Sequence, residues 1–209
     1  MKRTWFTALS LLVTLVLLLS AGPLAATAQN PQPPTIELIE QIGGPTNAVA
    51  VQGHYAYAGV GPRLVIVDVS NPAQPTFIGR TGVLTGVVSA VAVRGNTAYV
   101  ADAGGGLRIL DVTDPAHPAE VSFYGASKFV YGMAVVSNTV YLADGAGLRV
   151  VDATDPVHPA EVGFYDTPGQ ANDVAVAGAY AYVADGNDGL RILDVSDPAH
   201  MVEVGFYDT

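Results

Sequence analysis

The chain has 209 residues, no cysteine, and 9 basic against 19 acidic side chains, a formal net charge of −10. Disulfides, thiolate metal sites, cysteine nucleophiles and a lipid-modified N-terminal cysteine are therefore excluded. So acidic a surface repels phosphate backbones, which argues against a nucleic-acid partner.

The chain opens with Lys2 and Arg3, an apolar run from Trp5 to Leu19, and Ala26-Thr27-Ala28 before Gln29. A positive start, a short apolar core and a small-residue cleavage site predict a signal peptide over residues 1–28. The run falls short of the ~18 residues expected of a membrane span, although a retained N-terminal anchor is the alternative. Loss of Lys2 and Arg3 leaves 7 basic against 19 acidic residues, a net charge near −12. Residues 29–35 are a Pro-rich linker, and no later run is apolar enough to span a bilayer. The expected product is exported: secreted, periplasmic or at the cell surface, with no membrane span after signal cleavage. Roughly 180 residues remain, enough to bury a core without covalent help.

From residue 36 onward the sequence is repetitive. LVIVDVSNPAQP begins at Leu64, LRILDVTDPAHP at Leu107, LRVVDATDPVHP at Leu148 and LRILDVSDPAHM at Leu190. The aspartates of these phrases, Asp68, Asp111, Asp152 and Asp194, are 43, 41 and 42 residues apart. A repeat of that length is one supersecondary unit that buries its apolar faces only against its neighbours. The fourth copy shows its parts. Strands are predicted over 171–176, 180–184, 190–195 and 202–207, with turns at 177–179 and at Asp185-Gly186-Asn187-Asp188-Gly189, and a break at Ser196-Asp197-Pro198, because proline cannot donate to a ladder. β-branched and aromatic residues fill the strands, and no helical period follows the leader. Four short antiparallel strands in about 42 residues make a β-propeller blade. A β-solenoid is the rival, but its rungs are shorter and lack hairpin turns.

Leu64-Val65-Ile66-Val67-Asp68, with the Val-Ser-Asn-Pro and Pro75 that follow, resembles the signature of the LVIVD-repeat family, and the resemblance extends from about Ile36 to the end. It implies an all-β propeller, typically secreted or surface-associated, with no shared catalytic motif. Tyr99-Val100-Ala101-Asp102 and Tyr182-Val183-Ala184-Asp185 are more loosely similar to the YVTN surface-layer propellers, with Ala-Asp in place of Thr-Asn.

Residues 36–42 (IELIEQI) match the outer-strand position of later copies. The repeat units are thus 36–75, 76–118, 119–159 and 160–201, with 202–209 opening a further one. Seventeen strands are one more than four blades need. The expectation is the N-terminal part of a larger propeller. A complete four-bladed ring with a spare edge strand is the alternative.

Residues that recur in every copy read as repeat-building. His117, His158 and His200 would stand a blade apart, too far to share an ion within about 2.1 Å, and read as exposed turn residues. Asp102, Asp144 and Asp185 close the second strand, with Gly59 in their place in the first copy. They read either as turn aspartates bonding their own backbone or as a cation or sugar-hydroxyl site. Asp185, Asn187 and Asp188 form the densest oxygen cluster and are the candidate calcium ligands, although calcium takes six to eight oxygens. Arg108, Arg149 and Arg191 are expected to pair with carboxylates of neighbouring blades, and Tyr57, Tyr99, Tyr141 and Tyr182 to pack between blades.

Residues that break the pattern gather in the connections at 46–47, 82–89, 127–131 and 168–173. Binding usually resides in loops on a rigid scaffold, so Asn47, Lys128, Phe129, Tyr131, Asn172 and Asp173 are the candidate ligand-binding residues. No residue is assigned a catalytic role, because no pair of unlike groups stands outside the repeat. The leading expectation is a secreted, non-catalytic β-propeller scaffold for an extracellular protein or glycan. The alternatives are an extracellular propeller enzyme acting on a carbohydrate or small molecule through carboxylates such as Asp173, and a calcium-stabilised structural module.

Overall fold

The computed structural model describes residues 45–126 and 128–209, which fall within the compact unit Ile36–Thr209. The predicted signal peptide, linker and outer strand at 36–42, together with Ser127, lie outside the described residues. Among the described residues, alternating β-branched and small side chains produce sixteen strands in four antiparallel sheets, each a meander whose spatial order is its chain order. The first sheet is β1 (Thr46–Gln52), β2 (Tyr55–Val60), β3 (Leu64–Asp68) and β4 (Thr76–Arg80). The second is β5 (Val88–Arg94), β6 (Thr97–Asp102), β7 (Gly106–Asp111) and β8 (Ala119–Gly125). The third is β9 (Gly132–Val136), β10 (Thr139–Ala143), β11 (Gly147–Asp152) and β12 (Ala160–Asp166), and the fourth β13 (Asp173–Ala177), β14 (Tyr180–Ala184), β15 (Leu190–Asp194) and β16 (Val202–Tyr207). Each sheet is a propeller-type blade.

The blades are phased one strand away from the repeat units drawn at 36–75, 76–118, 119–159 and 160–201. The outer strand that opens each later unit is hydrogen-bonded to the third strand before it, so Val202–Tyr207 completes the fourth blade. The short Asp-x-Ser/Thr-x-Pro turn returns the chain at once beside the strand it has just left.

The hairpin between the first two strands of each blade turns on one left-handed residue. Gly53, Gly95 and Gly178 take φ of 61°, 57° and 60°, and Ser137 occupies the same place at φ 53°. Between the third and fourth strands every blade carries a bulge, which leaves Ile78, Val121, Val162 and Val204 unpaired. One extra residue reverses which side chains face which way along the outer strand.

First strands lie against one another in sequence, β1 on β5, β5 on β9 and β9 on β13. Three apolar clusters fill the spaces between successive blades. Tyr57, Leu64 and Ile66 of the first blade meet Ala98, Val100 and Leu110 of the second. Tyr99, Leu107 and Ile109 meet Val135, Val140 and Leu142 of the third. Tyr141, Leu148 and Val150 meet Ala181, Val183 and Leu193 of the fourth. Tyr57, Tyr99 and Tyr141 thus pack between blades, and Tyr182 in the fourth blade is half-buried. Each blade has a forward face, carrying the tyrosine, and a rear face of valine and alanine.

Ser137 is the one non-glycine among the described residues with positive φ. Left-handed backbone costs an L-residue ~1–2 kcal/mol, against the ~0.5–1 kcal/mol that glycine loses in entropy. Ser137→Gly is expected to stabilise the protein by about 0.5 kcal/mol, read as a higher urea midpoint with an unchanged m-value.

Candidate functional site

The strongest polar feature of the fold recurs in three blades. In the second, Asp102 at the end of β6 is fully buried and accepts from Arg108 Nε at 2.8 Å, while Gly104 N donates to its other oxygen at 3.2 Å. Arg108 Nη1 reaches both oxygens of Glu120 at 2.9 Å, and the guanidinium lies 4.7 Å from the centre of the Phe123 ring. The third blade repeats this with Asp144, Arg149, Glu161 and Phe164, at 2.8, 2.6 and 4.4 Å. Tyr124 of the second blade donates to Glu161 of the third, which ties two blades together through the carboxylate that Arg149 also holds.

These contacts fix the protonation states. Burial pushes the Tyr124 hydroxyl up to about 12, and its bond to Glu161 adds to the shift. Burial alone would lower the Arg149 guanidinium, but its bonds to Asp144 and Glu161 outweigh that and raise it. Burial would raise Glu161, yet donors from Tyr124 and Arg149 hold it below the usual carboxylate value.

Three expectations are corrected here. The arginines pair within their own blade, because Asp, Arg, Glu and Phe all project from its rear face. Asp102 and Asp144 do bond their own turns, but they are also the buried anions of ion pairs. In the first blade the equivalent position is Val60, paired with Thr46 as Asp102 is with Val88; Gly59 sits one place earlier, against Val88. The whole set is replaced there by Val60, Val65, Phe77 and Arg80.

The fourth blade holds a looser version. Asp185 accepts from Thr167 Oγ1 at 2.5 Å and from Gly169 N at 2.9 Å, and its oxygen stands 3.6 Å from Arg191 Nε, a buried atom with no hydrogen-bond acceptor. Asp188, Glu203 and Asp208 surround the same guanidinium at 3.6–3.8 Å. Of the candidate calcium ligands, Asp185 is buried and engaged, Asp188 faces Arg191, and Asn187 is exposed in a short 3-10 turn, Gly186–Asp188. Among the described residues no group of three or more His, Asp or Glu is arranged to hold a metal ion.

The inter-strand turns are self-contained. Asp111, Asp152 and Asp194 accept from the backbone of Thr113, Thr154 and Ser196 at 2.8–2.9 Å. His117, His158 and His200 are exposed, each with Nδ1 2.8–2.9 Å from Asp114, Asp155 or Asp197.

The pattern-breaking residues separate into two groups. Lys128, Phe129 and Tyr131 come together around an open hollow of about 360 Å³, completed by Asp144, Gly145 and Gln170. Phe129 and Tyr131 are 58% and 41% exposed, with ring centres 6.4 Å apart and planes tilted by 44°. The hollow has a local cause. Gly86 and Gly169 close down on Asp102 and Asp185, so tightly that a Cβ on either would collide. Lys128 stands where those glycines stand, and its loop cannot make the same approach to Asp144. Gln170 was not singled out from the sequence; only its place opposite the altered loop reveals it.

The remaining candidates lie elsewhere. Asn47 is exposed at a bulge of β1 in the first blade. Asn172 is exposed, with its backbone N–H donating to Ala184 O at 2.8 Å and its amide beside Gly186. Asp173 accepts from Val174 N at 2.9 Å and packs on Gly132.

Two outcomes follow. Asp144→Val removes the fully buried partner of the Arg149 guanidinium and leaves it Glu161, and is expected to cost about 3 kcal/mol, whereas Asp144→Val/Arg149→Val, the pair that the first blade already carries, costs less than the single change; urea denaturation of the cycle measures both. Second, hydrogen bonds from Thr113, Thr154 and Ser196 hold Asp111, Asp152 and Asp194 below the ordinary carboxylate pKa. The folded state then binds protons less readily than the unfolded chain. Stability is complete above the unfolded value near 4 and falls as pH drops through the lowered folded values. Asn at the three positions, which cannot titrate, flattens the acid limb of a plot of urea midpoint against pH.

A family model described as LVIVD repeat matches residues 43–82, 85–125, 130–167 and 168–209. No curated protein matches the chain. Among solved structures, the computationally designed Ika8 protein is similar at a TM-score of 0.65 and 10% identity, over 78% of this chain and 50% of that one. The computationally designed Ika4 protein is similar at 0.58 and 13%, over 71% of this chain and 90% of that one. The chain thus spans about half the length of the designed Ika8 chain, and identities this low speak for the fold alone. Each matched segment coincides with one four-stranded sheet, and on that match the chain belongs to the LVIVD repeat family.

Proposed function

We propose that this is an exported, non-catalytic propeller scaffold that holds an extracellular glycan or protein at the 128–131 loop. The observation that carries the reading is the exposed Phe129–Tyr131 pair beside a hollow rimmed by Lys128 and Gln170. Aromatic faces offer stacking area at little entropic cost, and the ammonium and carboxamide supply oriented hydrogen bonds. A pyranose ring, with one apolar C–H face and a rim of hydroxyls, suits that combination. A tyrosine-rich protein surface suits it also. The one carboxylate lining the hollow, Asp144, is committed to Arg149, so the chemistry on offer is recognition. Export is supported by the leader at residues 1–28. Among the described residues no helix is long and apolar enough to cross a membrane, which leaves β-barrel insertion unaddressed.

A glycan array probed with the wild type and with Phe129→Ala/Tyr131→Ala tests the reading. Binding by the wild type, weakened at least tenfold in the variant at an unchanged melting temperature, is the expected result. Equal binding by both would remove the loop from the function.

A further inference from the structure

The hollow beside the third blade is also where the chain places an unusual charge. Lys128 is the only lysine after Lys2, and the corresponding connections at 46–47, 82–89 and 168–173 carry neither lysine nor arginine. Guanidinium groups of the fold are engaged elsewhere. Arg108, Arg149 and Arg191 face carboxylates of their own blades, and Arg63 and Arg94 donate to Thr81 O and Val135 O at 3.0 and 2.8 Å. Lys128 is exposed and donates to no acceptor among the described residues.

The hollow is rich in donors and poor in acceptors. An ammonium only donates, and the Gln170 amide adds further N–H groups. The one carboxylate in the lining, Asp144, is fully buried. Its Oδ1 accepts from Ala146 N at 3.1 Å, and its Oδ2 faces Arg149 Nε and Nη2 at 2.8 and 2.7 Å. The Gln170 carbonyl and the Tyr131 hydroxyl are the side-chain acceptors that remain. A sugar hydroxyl both donates and accepts, so a ring held by hydroxyls alone finds few partners for its protons. A carboxylate only accepts. Its bond to an ammonium is charge-assisted, shorter and stronger than one between neutral groups.

The rest of the protein limits how much negative charge can arrive. A net charge near −12 without the leader repels an extended polyanion along its whole length. Salt screens a single charge beyond about 8 Å, so one anion seated on Lys128 meets the ammonium while remote carboxylates are damped. The hollow, about 360 Å³, is at the small end of ligand pockets and takes one sugar ring. Phe129 and Tyr131, tilted by 44°, do not form a flat platform; one ring stacks on the sugar and the other closes its side. We infer, resting on the binding role proposed for this loop, that its ligand is an acidic sugar: a pyranose bearing one carboxylate, with its C–H face on the aromatic pair and the carboxylate on Lys128.

An array of glycans ending in a uronic acid, each beside its carboxyl-reduced form, tests this with the purified protein. Reduction turns the carboxylate into a neutral hydroxymethyl group and leaves the ring intact. The wild type is expected to favour the acidic form by about tenfold, the order of one charge-assisted hydrogen bond. That preference is lost in Lys128→Gln, kept in Lys128→Arg, and declines as salt rises. Equal binding to both forms, or a preference that survives Lys128→Gln, overturns the inference. Neutral glycans bound by the wild type and lost in Phe129→Ala/Tyr131→Ala would leave the loop as the binding site and remove the acidic ligand. A wild type that binds no glycan on the array overturns the acidic ligand as well, and glycan binding unchanged in the aromatic double variant removes both readings.

Discussion

A short sheet that is apolar on both faces cannot stand alone in water, and this constraint organises the molecule. Blade strands such as Leu107–Leu110 bury alternate residues forward and back, so every blade requires two neighbours. Leu64, Leu107 and Leu148 are fully buried because another blade covers them. At about 25 cal/mol per Å² of apolar surface, stability resides mostly between blades, and a single blade would retain little of it. Cooperative behaviour across the repeats follows from nearest-neighbour burial.

The buried polar set sits at the margin of those interfaces. Its ion pairs are costly to desolvate, and an apolar replacement is no worse for stability. The first blade makes that replacement in full. The set contributes geometry instead: Arg149 fixes Glu161, and Glu161 accepts from Tyr124 of the preceding blade, so one carboxylate sets how two sheets meet. Hydrophobic contacts are non-directional, and a hydrogen bond across the gap supplies the direction they lack. The looser arrangement at Arg191 belongs to the fourth blade, where Tyr182, Leu190 and Ile192 are only half-buried.

Departure from the repeat creates the candidate site without disturbing the scaffold. A glycine lets the loop before a blade press onto the buried aspartate, as at Gly86 and Gly169. Lysine at 128 forbids that approach, and the loop presents Phe129 and Tyr131 outward beside the space it leaves. The sheets beneath are the same as in the other blades, so the aromatic pair is carried on a firm base. Loops that vary over constant sheets are the usual route by which repeat folds acquire ligands.

The four repeat copies, their strand type and the inter-blade tyrosines were legible in the sequence, because a 41–43-residue period and two-residue alternation are local signals. The strands at Tyr180–Ala184 and Val202–Tyr207 fall where alternation and turn residues put them. What escaped was set by non-local contact. Glu120 and Phe123 are an odd number of residues apart, which in a regular strand places them on opposite faces; the bulge at Val121 brings both onto Arg108. The same bulge lets each arginine reach a glutamate of its own blade, whereas its bond to Asp102 or Asp144 comes from the regular pairing of the second and third strands. Gln170 joined the hollow only through the meeting of two loops. Periodicity determines which residues alternate, but a one-residue irregularity and the packing of the next sheet decide which face each of them shares.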